Sequence, residues 1–174
     1  MDIAPNKGFK EDDLILFSEK IGYDLPNDYI EFLRYHNGGH LKNSISKYYN
    51  KGYQKFILTS LFGLGVEEDL IDQYEVYKNR IPETCIPIGR DAGGNIICLD
   101  LSENKYDHIY FWNHEEETNY EYKEINVEDL YIIAESFNKF INSIESDNIR
   151  EPVKVEYKVN KVWVDQDFLK ELDN

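Results

Sequence analysis

A chain of 174 residues, 41% hydrophobic and 30% charged, suits one globular domain with its own core. Its 34 acidic residues outweigh 19 basic ones for a net charge of -15, which aids solubility, repels nucleic acid and anionic membranes, and draws in basic partners. No apolar run nears the roughly 20 residues of a membrane span, and "MDIAPNKGFKEDD" lacks the basic-then-apolar order of a secretion signal. A cytoplasmic protein is expected, with Cys85 and Cys98 as buried thiols.

Leu14, Phe17 and Ile21 recur at helical spacing and predict a helix over 10–21, closed by Gly22. "LPNDYIEFLRYHNGG" predicts a second, entered at Pro26, with Tyr29, Phe32, Leu33 and His36 on one face and Asn37-Gly38-Gly39 as its stop. Residues 40–54 are polar and tyrosine-rich without a clear period, and read as a long loop. "FILTSLFGLG" reads as a strand and a turn. "VEEDLIDQYEVYKNR" reads as a helix aligning Val66, Leu70 and Tyr74.

"IPIGRDAGGNIICLDLS", residues 86–102, predicts a hairpin turning at Asp91-Ala92-Gly93-Gly94. Symmetric pairing sets Arg90 opposite Asn95, Ile88 opposite Ile97 and Ile86 opposite Leu99. One face then carries Ile86, Ile88, Ile97, Leu99 and Leu101, and the other the more mixed Pro87, Gly89, Ile96, Cys98 and Asp100. Pro87 has no N–H, so that side of it belongs at an edge or strand start. Cys85 and Cys98 become diagonal neighbours about 7–8 Å apart, poorly placed for a disulfide. Asp91 and Asp100 are expected to add to the acidic field.

"HIYFW" (His108–Trp112) is a third strand and "YEYKEI" a fourth. Asn126 is expected to cap a long helix in which Val127, Leu130, Tyr131, Ala134, Phe137, Ile141 and Ile144 follow the helical period. After Ser146 the alternation from Val153 to Val159 predicts a half-exposed strand, and Asp165 a short capped helix. The chain thus divides into a domain over 1–146 and a C-terminal extension over 147–174, a strand plus a short helix.

Catalytic chemistry finds little support. The two glycines before Asn95 lack the Lys-Ser/Thr of a phosphate loop, and a strand follows them, not a helix N-terminus. "HEEET" at His114 begins like a zinc-protease motif but has Thr118 where the second ligand belongs. His36, Asn37 and His40 flank two glycines, but His36 is better read as a helix-end histidine near the terminal carbonyls. There is no nucleophile elbow, and acids are too abundant to single out a catalytic pair. No catalytic residue, metal or cofactor is expected. Two acidic groups stand with aromatics nearby: Glu67, Glu68, Asp69 and Asp72 at the front of a helix, and Glu115, Glu116 and Glu117 after Trp112. They suit a basic partner, or simply a solvated surface.

The order "EKIGYDLPNDYIEFLRYHNGG", "IPIGRDAGGNIICLDLS", "YDHIYFWNHEEE" and "SFNKFINSI" resembles the Smi1/Knr4 family, also called the SUKH superfamily, over roughly residues 11–145. The resemblance implies an α+β fold, a mixed, largely antiparallel curved sheet with helices packed on it. The matching positions are Leu25-Pro26, Asn37-Gly38-Gly39, the Gly93-Gly94 turn with Asn95–Leu101, and the helix around Phe137. Asn95 stands where relatives often have an acid. Bacterial proteins of this kind are typically immunity proteins that neutralise polymorphic toxins, many of them nucleases; the fungal relatives are adaptors or regulators in cell-wall synthesis.

The resemblance and the charge together lead to a non-catalytic antitoxin that binds a basic toxin domain, a nuclease by expectation. Contacts are expected at Trp112, Glu115, Glu116, Glu117, Glu67, Glu68 and Asp69. A general protein-interaction adaptor is the alternative. The extension lies outside the resemblance, and three roles are open to it: an edge strand, a homodimer contact, or a change in the partner surface.

Overall fold

The computed structural model describes residues 2–117 and 125–146. Most of "YEYKEI" and the extension over 147–174 lie outside the described residues. Glu11, Asp12 and Asp13 form the acidic first turn of helix α1 (Glu11–Ile21), where negative charge suits the helix dipole. Gly22 ends it at φ 73°. Helix α2 (Asn27–His36) follows Pro26 and stops at Asn37, itself at φ 48°. Both helices stand where the periodicity places them. Leu14, Phe17 and Ile21 of α1 and Tyr29, Phe32 and Leu33 of α2 are buried.

The main correction is the segment read as a loop. It forms strand β2 (Gly39–Tyr49), paired antiparallel with β3 (Tyr53–Leu61) in a long hairpin. Its alternation is concealed because serines take inward places: Ser44 and Ser46 are 1% exposed. A short first strand, β1 (Ile3–Pro5), lies on the other edge of β2. Helix α3 (Leu70–Tyr77) begins later than Val66, because Asp69 caps it by accepting from the Ile71 and Asp72 N–H groups.

Strands β4 (Cys85–Asp91) and β5 (Ile96–Asp100) form the expected hairpin, with β6 (Ile109–Trp112) beside it. Ile86 opposes Leu99, Pro87 opposes Cys98 and Cys85 opposes Asp100, as the symmetric register requires. An irregularity between Pro87 and Gly89 then shifts the rest: Gly89, not Ile88, opposes Ile97, and Arg90 opposes Ile96 rather than Asn95. The supposedly mixed face is buried too, with Ile96, Cys98 and Asp100 at 0% exposure. Strand β3 pairs with β4 only between Gly89 and Asp91, so the missing N–H of Pro87 falls beyond that ladder. Both cysteines are free and buried.

The long helix expected from Asn126 is three elements. A 3-10 turn at Val127–Asp129 leads to strand β7 (Tyr131–Ala134), then helix α4 (Phe137–Ser143), capped by the Ser136 hydroxyl accepting from Lys139 N–H. The β-branched pair Ile132-Ile133 favours the strand. A two-residue strand, β8 (Glu145–Ser146), returns to β2.

All named strands join one sheet in the order β1-β2-β3-β4-β5-β6-β7, with β8 also on β2, and every named pair is antiparallel. Tyr48 of β2 stacks on Phe111 of β6 at 4.3 Å and lies 5.2 Å from the Tyr131 ring of β7. Strands near opposite ends of the order therefore meet, so the sheet curls strongly. Helices α1 and α3 meet edge-on through Phe17 and Tyr74, and α2 meets α4 through Tyr29, Phe32 and Phe137.

Candidate functional site

The two acidic groups that the sequence separates by nearly fifty residues are joined by the sheet. Arg90, Ile96 and Trp112 oppose one another across β4, β5 and β6, so their side chains share a face and the outer two are about 10 Å apart. Arg90 forms an ion pair with Glu68, just before α3. At the other end of α3, Tyr77 meets the Trp112 ring at 5.9 Å, and Arg80 lies over it at 5.1 Å. Glu117 grips the same guanidinium, accepting from Nε at 3.0 Å and from Nη2 at 2.7 Å. The acids thus frame one end of β4–β6 and the flank of α3.

Their environments differ. Trp112 is 4% exposed, so it is a packed wall and not a protruding contact. Glu68 and Glu117 are matched by arginines, and the Glu117 hydrogen bond raises the Arg80 pKa further. Glu116 accepts from Tyr131 Oη at 2.7 Å and Asn113 Nδ2 at 3.0 Å, and holds the Tyr131 phenol up at about 12. Asp69 is occupied in capping α3 and also accepts from Gly65 N–H. Glu67 and Glu115 are exposed and make no ion pair among the described residues. Arg80, Arg90 and Tyr131 had no local sequence signal, since each partner is distant along the chain.

The hairpin turn is a local clamp. Asp91, 8% exposed, accepts from Gly93 N–H, Asn95 N–H and Asn95 Nδ2 at 2.8–2.9 Å. Asn95 Oδ1 in turn accepts from His114 N–H at 3.2 Å and lies 2.8 Å from His114 Nδ1. Asp100 is wholly buried and accepts from the Thr84 hydroxyl and Ser102 N–H. Both aspartates therefore serve the interior, against the expectation that they add to the surface field.

The other chemistry-bearing residues are held structurally. The Asn37 amide pairs with the backbone of Leu64 in both directions, at 2.8 Å each way. His36 stacks on Phe32 at 5.0 Å, and its buried Nδ1 has no hydrogen-bond partner among the described residues, so that nitrogen does not make the expected contact with terminal carbonyls. Burial raises the pKa of both Cys85 and Cys98, which disfavours the reactive thiolate. Among the described residues no group of three or more His, Cys, Asp or Glu could hold a metal ion, and no helix is long and apolar enough to cross a membrane.

Sequence comparison adds a lineage to this geometry. The model of the SMI1 / KNR4 family (SUKH-1) matches residues 8–143. A SPbeta prophage-derived uncharacterized protein of Bacillus subtilis (strain 168), YokK, is 29% identical over 166 residues, covering 86% of this chain and 81% of the relative.

Proposed function

The chain belongs to the SMI1/KNR4 family (SUKH-1), and on that premise we propose that it is a non-catalytic immunity protein, an antitoxin for a basic toxin domain. The observation carrying this reading is the excess of acids, net charge -15, together with two acidic groups framing one end of the sheet. A nuclease is the favoured target, because an enzyme that grips polyanions presents basic surface near its cleft. Acids docked there would exclude nucleic acid by occupying its place. Glu67 and Glu115 would supply the field, while Trp112, Glu116 and Glu117 keep the segment after β6 in shape.

Electrostatic attraction of this kind speeds association and makes it salt-sensitive. The test is to search the neighbouring genes for a secreted protein with a toxic C-terminal domain and to co-express that domain with this chain. Growth should be restored and a complex recovered. Continued killing, with several unrelated partners recovered, would replace this reading by that of a general adaptor.

A further inference from the structure

A second surface lies between α2 and α4, away from the elements that carry the acidic framework. Phe32, Phe137 and Ile141 line a cavity of about 260 Å³ with Asp28, Glu31 and His36 around it. Tyr35, also lining it, is 78% exposed, the most of any large hydrophobic residue among the described residues. The aromatic floor is ordered: Phe32 and His36 are stacked within 14° of parallel, and Phe137 meets Phe32 at 61°.

Three features point to one kind of occupant. First, the local field is negative. Asp28 and Glu31 are exposed carboxylates at the cavity, and Asp28 is near enough to Asp107, which holds the Phe137 N–H, to raise its pKa alongside the larger effect of burial. Arg34 draws on one oxygen of Glu31 and is itself shared with Glu11. Second, the exposed Tyr35 ring beside these carboxylates favours a flat, weakly hydrated cation. Third, the half-buried ring of His36 also lines the cavity, its Nδ1 without a hydrogen-bond partner among the described residues. A neutral ligand would leave the carboxylates unused, and an ammonium would use the Tyr35 ring less well than a planar guanidinium.

We infer that the α2–α4 cavity receives an arginine side chain of the partner protein, its guanidinium laid against the exposed Tyr35 ring and forked by Asp28 and Glu31. This rests on the reading of the chain as a binder of a basic protein and adds the residue type that seats here.

The probe is N-acetyl-arginine amide, with the neutral isostere N-acetyl-citrulline amide as comparator, titrated into the full chain. The His36 Cε1–H resonance is followed, assigned from the spectrum of His36→Asn. Arginine amide should shift it saturably, with citrulline amide and the Asp28→Asn/Glu31→Gln variant at least about five-fold weaker. Both substitutions are at exposed positions, and an unchanged amide spectrum verifies folding. Equal responses to the two amides, no saturable shift, or an unaffected double variant would each overturn the inference. No toxin is present in this experiment, so its failure is distinct from failure of growth rescue.

Discussion

The guanidinium of Arg80 sits between the indole of Trp112, 5.1 Å away, and the carboxylate of Glu117, which it meets at 2.7 Å. One side chain from the end of α3 thus fastens the segment after β6 to the helix. The same guanidinium lies 5.2 Å from the Tyr77 ring. An acidic run that reads as a solvated loop is thereby given a defined shape. Its free charge is smaller than its composition suggests, since Glu117 is already paired.

Arg80→Ala should remove this fastening. The side chain is 40% exposed, so the stability loss should be modest, about 1 kcal/mol, from the cation–π contact and a partly screened ion pair. In a Trp163→Phe background Trp112 is the sole indole, and its emission should move to longer wavelength as water gains access. Unchanged emission with unchanged urea denaturation would show that Arg80 does not cover the ring.

Asn95→Asp replaces a donor to Asp91 by a second carboxylate. At neutral pH the variant should lose about 1–2 kcal/mol, from a lost hydrogen bond and like-charge repulsion, offset in part by attraction of the new carboxylate to the His114 ring beside it. Repulsion raises a folded-state carboxyl pKa above its unfolded value, so the penalty exists at neutral pH. It should shrink as pH falls through that raised pKa towards about 4, the unfolded value. Urea denaturation across this range checks it; a gap independent of pH would contradict the adjacency of the two carboxyls.

Asp107 supplies the opposite substitution. Burial, with the charge of Asp28, raises its pKa, and only the Phe137 N–H bond and His108 oppose this. A carboxyl whose folded pKa is raised costs stability once pH exceeds that pKa, and costs none below its unfolded pKa. Asp107→Asn keeps an acceptor for Phe137, and asparagine tolerates the φ of 71° found here. The variant should be more stable at pH 7 by under about 1 kcal/mol, after screening by solvent, and should match the parent at pH 3. Thermal denaturation at the two pH values decides it.

The glycines of the chain should not respond alike. Gly94 has φ 87° but its added Cβ would meet nothing nearer than His114 Cε1 at 3.8 Å, so Gly94→Ala should cost about 1–2 kcal/mol of backbone strain. At Gly63 a Cβ would fall 2.0 Å from the carbonyl oxygen of Asn37, beside the paired amide of that residue. Gly63→Ala should cost at least about 3 kcal/mol or prevent folding. Comparable chevron or denaturation midpoints for the two variants would refute the distinction.

That contrast also shows what periodicity can and cannot convey. The stripe Leu14–Phe17–Ile21, the Gly93-Gly94 turn and "HIYFW" declare themselves because apolar positions recur locally. Strand β2 does not, since Ser44 and Ser46 point inward while Ile45 lies on the opposite side. Residues 127–144 mislead because the spacing Val127, Leu130, Tyr131, Ala134 suits a helix as well as a turn followed by a strand; Ser136 as a cap was the contrary signal. Among the candidate contacts, the acids were legible from composition. The neutralisation of Glu117 by Arg80 and of Glu68 by Arg90 was not, because it depends on the curl of a sheet formed by distant segments.

Glu67 and Glu115 carry the final prediction. Both are exposed and make no ion pair among the described residues, whereas Glu68, Glu116, Glu117 and Asp69 each support local structure. Reversing them, Glu67→Lys with Glu115→Lys, should change stability by no more than about 0.5 kcal/mol. Association with the basic toxin domain should nevertheless slow about ten-fold at low ionic strength, because long-range attraction becomes repulsion. The difference should narrow towards 1 M salt, where the screening length falls to about 3 Å. Stopped-flow rates over a salt series test this directly. Rates equal to the parent's at low salt would remove this face from the contact surface, while leaving open binding through the α2–α4 cavity.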